Sequence, residues 1–120
     1  MEKPNATTMA WFERAVPKDA RARKGAMFGQ PCAFVDGNMF FGTFAQSVVA
    51  RVGEARAAAL AGGPRRIFEP MGGRLWKEYI HMDTGAVSDA DLATYAKDAL
   101  EWTAANVPPK VAKAKKVEKG

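Results

Sequence analysis

The sequence predicts an α+β domain, in the order helix, three to four strands, helix, one to two strands, helix. Three features carry this expectation: two apolar strand-like runs joined by Asp36-Gly37, a C-terminal helix opened by Ser88, and proline or glycine punctuation between segments. At 120 residues, 48% hydrophobic and 26% charged, the chain has the length and balance of one folded domain with one core.

The first helix is expected to start from a cap at Asn5, Thr7 or Thr8 and to end before Pro17. Proline disfavours helical geometry in the residue ahead of it and cannot donate inside a helix. Met9, Phe12 and Val16 then share one face. Ala26-Met27-Phe28 reads as a short strand closed by Gly29. Pro31–Val35 and Met39–Phe44 form a hairpin through Asp36-Gly37, a dipeptide that tolerates the positive φ of a two-residue turn. Counting antiparallel partners outward sets Val35 opposite Asn38, Phe34 opposite Met39, Ala33 opposite Phe40 and Cys32 opposite Phe41. One face then carries Cys32, Phe34, Met39 and Phe41, the other Ala33, Val35 and Phe40. Both are apolar, so the second needs cover from a helix or another subunit, which makes Val35 and Phe40 candidate residues of a homodimer interface.

Ser47–Val52 reads as a further strand after a turn at Ala45-Gln46. Glu54–Ala61 is an alanine-rich helix stopped by Gly62-Gly63-Pro64. Phe68 to Arg74 reads as a loop of turn formers running into a strand that reaches Met82. Ser88 with Asp91 caps the last helix, where Leu92, Tyr95, Ala96, Ala99, Thr103 and Val107 recur at helical spacing until Pro108-Pro109.

The net charge of +5 is unevenly placed. Lys110, Lys113, Lys115, Lys116 and Lys119 against Glu118 give the last eleven residues +4, leaving +1 for residues 1–109. The expected organisation is therefore a domain over 1–109 and a lysine-rich, disordered tail over 110–120. That tail resembles the sequence-neutral phosphate-binding tails of nucleoid-associated proteins, and it reads equally as a solvated end. Within the body, Lys18, Arg21, Arg23 and Lys24 follow the first helix with Asp19 among them. No run of about 18 apolar residues is present to span a bilayer. The first residues lack the layout of a signal peptide, so a cytoplasmic protein without a membrane partner is expected. The single cysteine, Cys32, excludes an internal disulfide.

Few residues suggest chemistry. His81 and Asp83 lie two apart on a strand, but two ligands fall short of the three or four that zinc takes, and a strand histidine hydrogen-bonded at a sheet edge is expected. Cys32, in an apolar strand, reads as a buried thiol. Gly72-Gly73-Arg74 allows an anion nest completed by an arginine or, more plainly, a tight turn. Trp76, flanked by Arg74 and Lys77, is a candidate base-stacking platform. Neither a cofactor nor a metal is called for, and the expectation is a protein that is not an enzyme.

Three stretches, KGAMFG at 24–29, AFVDGNMF at 33–40 and FEPMGGR at 68–74, together resemble the TfoX N-terminal domain of Sxy-type competence regulators, over about residues 5 to 109. The resemblance implies two layers, helices packed on one antiparallel sheet, and brings no catalytic residue set. It implies a regulatory or DNA-associated accessory protein. Nucleic-acid contacts would come from Lys110, Lys113, Lys115, Lys116 and Lys119, with Arg74 added. The alternative is a protein-interaction module, chaperone-like or adaptor, without nucleic-acid binding.

Overall fold

A computed structural model describes residues 2–110. Along the chain run α1 (Ala6–Ala15), β1 (Arg23–Met27), β2 (Gln30–Val35), β3 (Asn38–Phe44), β4 (Ser47–Arg51), α2 (Glu54–Leu60), β5 (Arg65–Met71), β6 (Arg74–Asp83) and α3 (Asp89–Asn106). Local chemistry sets the long helices. The Asn5 side chain accepts from the Thr8 N–H at 2.9 Å, and the Ser88 hydroxyl accepts from the Asp91 N–H at 3.0 Å, each satisfying a donor that the first helical turn leaves free. Among the described residues no helix is long and apolar enough to cross a membrane.

The strands form one antiparallel sheet in the order β1-β2-β3-β4-β6-β5. Trp11 and Phe12 of α1, Ala57 of α2 and Leu92, Ala96, Ala99 and Leu100 of α3 share one buried cluster with Ala33, Val35, Phe40, Phe41, Val48, Ala50, Ile80 and Met82 of the sheet. Leu100, absent from the expected apolar stripe, is fully buried.

Two expectations change. The first is the hairpin register: Phe34 does face Met39, but Ala33 faces Phe41 and Cys32 faces Gly42. Phe40 is the extra residue of a β-bulge, and beyond a bulge the alternation of faces is inverted. Phe41 therefore sits with Ala33 in the core, its ring stacked on Phe12 at 5.2 Å between centroids. Val35 and Phe40 are fully buried in that same cluster. The helices cover this face, so neither residue has surface left to offer a second copy. The second change concerns Phe68 to Met71, which is not loop but the end of β5. Pro70 sits at a register shift between Phe68 and Met71, where it fits because it has no N–H to leave unpaired, and Gly72-Gly73 make the turn that follows.

Candidate functional site

Among the described residues the other face of the sheet carries no helix, and a break in the β5–β6 ladder shapes it. Ile67 pairs with Ile80, but the next residue, Phe68, pairs with Trp76, so Lys77, Glu78 and Tyr79 have no partner on β5. The excursion is tied to the body. The Glu78 carbonyl accepts from the N–H groups of Val52 (2.9 Å) and Gly53 (3.1 Å), and its carboxylate meets Arg51 at 2.7 Å. The Arg51 guanidinium lies over the rings of Tyr79 and Trp102, at 5.5 and 5.7 Å from their centroids. Gly53, at φ +94°, leaves room for the Trp102 indole, into which any Cβ would collide. Beyond this anchor the hairpin tip, Phe68 to Trp76, stands over the helix-free face as an arm.

Between arm and sheet lies a groove of about 640 Å³, within the usual range of binding cavities. Cys32, Met39, Thr43, Phe44 and Val49 form its floor; Met27 and Phe28 of the β1–β2 turn line one side, and Phe68, Pro70, Met71, Arg74 and Trp76 of the arm line the other. Phe68 is the arm's wedge: its ring meets Phe44 edge-on at 4.9 Å, Trp76 at 5.4 Å and His81 at 5.4 Å. The floor is tight at Gly42, where a Cβ would lie 2.6 Å from the Cys32 sulfur.

The lips are apolar and wet: Phe28 is 84% exposed, Met71 69%, Leu75 49% and Trp76 37%. Phe28 also has φ +55°, followed by Gly29 at +77°, the conformation of the Asp36-Gly37 turn (+53° and +81°). Aspartate visits this left-handed region readily, whereas a bulky aromatic does so at a cost of roughly 1 kcal/mol. Phe28 thus stands in a costly conformation and displays its ring to solvent. The sequence signal for this turn was present in Phe28-Gly29 lying between apolar runs, but reading Phe28 as strand hid it.

Among the described residues Arg74 is the one charged lining residue, and no acidic group makes a salt bridge with it. The turn beside it is already served: Gly72-Gly73 form the tight turn, and the Gly73 N–H donates to the Glu69 carboxylate of the same hairpin. Of the other polar lining groups, those of Gln30, Thr43 and Cys32 are satisfied within the chain, whereas the Trp76 indole N–H makes no hydrogen bond among the described residues. Gln30 donates to the Glu2 carbonyl and accepts from the Ala45 N–H; Thr43 donates to the Pro31 carbonyl and Cys32 to that of Gln30. Burial pushes the Cys32 thiol up to about 11, away from the thiolate a nucleophile needs.

His81 is not hydrogen-bonded at a sheet edge. It lies on β6 between β4 and β5, its ring edge-on to Phe44 and Phe68, with Nε2 buried and unpartnered. Burial, with Arg66 adding to it, lowers its pKa to about 4. Asp83 is taken by Ser47 (2.9 Å) and Arg66 (3.1 Å), and among the described residues no group of three metal-ligating side chains occurs. The basic stretch after α1 is partly neutralised: Arg21 binds Asp19 (2.8 Å) and Glu101 (2.7 Å), and Lys24 binds Glu13 (2.7 Å). Lys110 is exposed, its N–H donating to the Asp36 carbonyl at 2.8 Å. Lys113, Lys115, Lys116 and Lys119 lie outside the described residues. Comparison with family models, with curated proteins and with solved structures returned no match.

Proposed function

We propose that this chain is a non-enzymatic regulatory or accessory module, a two-layer helix-on-sheet domain whose groove takes an apolar segment of a partner protein. The observation that carries the reading is Phe28, a solvent-exposed aromatic in a left-handed turn at the lip of an apolar groove. Strain and exposure both disfavour phenylalanine there in the free chain, and burial under a partner offsets both. Three methionines, Met27, Met39 and Met71, give the lining the adaptable surface of sites that accept varied apolar side chains. The stretches that resemble the TfoX N-terminal domain converge here: KGAMFG supplies Met27 and Phe28, AFVDGNMF supplies Met39, and FEPMGGR supplies Phe68, Pro70, Met71 and Arg74. A DNA-associated role would rest on Lys110 and the lysines after it, because two of the four cations following α1, Arg21 and Lys24, are paired within the domain.

The test is selection of random peptides of about twelve residues on the full chain, a length that fills a groove of this kind. Apolar sequences should be enriched. Phe28→Asn should weaken their binding by about tenfold. It should also raise the unfolding free energy by roughly 0.5–1 kcal/mol, since asparagine tolerates the left-handed region. Peptides that bind Phe28→Asn as well as the parent, or no apolar enrichment, would defeat the proposal. A self-associating chain whose dimer is broken by Phe28→Asn would give the groove to a second copy instead.

A further inference from the structure

We infer that the segment taken by the groove carries a carboxylate beside its apolar side chains, and that Arg74 selects it; this rests on the groove being a protein-binding site. Recognition in an apolar groove comes from the few polar groups that face the guest unsatisfied. Here the hydrogen-bonding groups of Gln30, Thr43 and Cys32 are engaged within the chain, and the Glu69 carboxylate is held by the Gly73 N–H of its own turn. Arg74 remains with the neutral Trp76 indole N–H, and among the described lining residues Arg74 is the single charge, with no salt bridge.

A guanidinium beside apolar walls discriminates in both directions. A guest carboxylate gains a charge-assisted pair once the segment excludes water, while a lysine or arginine at the same place meets repulsion and loses hydration. The guest is a polypeptide and not a free amphiphile because the apolar surface outruns the cavity. Leu75 lies outside the lining yet is half exposed, and the exposed rings and thioether of Phe28 and Met71 stand at opposite lips. A molecule confined to the groove would leave Leu75 wet.

Soluble versions of the selected peptides test this on the full chain, each compared with the form in which glutamate or aspartate is replaced by its amide. The amide should bind about tenfold more weakly. Arg74→Gln should lose the same factor for the acidic peptide and nothing further for the amide, as expected of one coupled pair. Unchanged binding of apolar peptides without a carboxylate shows that the variant is folded. Equal affinity for acid and amide, or selected peptides with no acidic enrichment, overturns the inference and leaves the apolar groove standing. Recovery of no apolar peptide removes both, and saturable binding of dodecanoate in that case would assign the groove to free amphiphiles.

Discussion

His81 places a titratable ring among the aromatic side chains of Phe44 and Phe68, with Asp83 the nearby acid and Arg66 the nearby base. The neutral ring suits this site, because its Nε2 is buried with no group to receive a proton's charge. The sign follows from the depressed value. Above pH 6.5 the folded and unfolded chains are both neutral at this residue. Between 6.5 and about 4 the unfolded chain binds a proton that the folded chain refuses, so stability falls as pH falls across that window and levels off below it. Asp83 and Glu101, whose pKa values Arg66 and Arg21 respectively hold down by hydrogen bonding, release their contributions only at lower pH. Urea unfolding midpoints measured from pH 7 to 5 should therefore decline in the parent and stay nearly level in His81→Phe. A parallel decline in both would show that other groups set the pH dependence.

At the scale of elements, the arm depends on how β6 leaves β5, and that departure is fastened at Gly53. Gly53→Ala must adopt φ +94° with a Cβ directed at the Trp102 indole, so the β4–α2 link or α3 has to move. A loss of roughly 2–3 kcal/mol is expected, larger than the glycine-to-alanine change costs at a compatible site. Calorimetry of Gly53→Ala, Trp102→Ala and the double variant checks it, and the double variant should recover part of the loss.

The elements were legible where one local signal decides: Ser88 as a cap, Asp36-Gly37 as a turn, Pro17 and Pro108 as ends, with Asn5 one of three candidates for the first cap. They were not legible where pairing decides. Period-two counting cannot register the extra residue at Phe40, which moves Phe41 from one face to the other. Gly72 and Gly73 are the turn they suggest, but Phe68 to Met71 looks like loop because nothing local shows that it pairs across a bulge. The groove itself comes from three residues on β6 that have no partner on β5, and no spacing in the chain announces it.

For the whole molecule, the last described residues return to the sheet: Asn38 donates to the Pro108 carbonyl at 3.0 Å and the Lys110 N–H to Asp36 at 2.8 Å. A chain ending after Pro109 keeps the first tie and loses the second, so its fold should survive. The lysines from 110 onward can then be tested by themselves. If they contact duplex DNA, the full chain should bind weakly and without sequence preference, with a log–log salt slope of about −4 to −5 for five phosphate contacts. The shortened chain should not bind. Equal binding by the two would direct attention to Arg74 and to the cations after α1.

The break between Ile67 and Phe68 also bears on cooperativity. β2, β3 and β4 are paired on both sides and cannot expose their amides without dismantling the core beneath them. The arm beyond Phe68 pairs only with itself and rests on the body through the rings of Phe68 and Trp76. Two stability tiers follow. In native-state hydrogen exchange, amides of β3 and β4 should exchange only through global unfolding, while those from Phe68 to Trp76 open at a smaller free energy of their own. A peptide seated in the groove should slow the second group and, through it, report occupancy residue by residue.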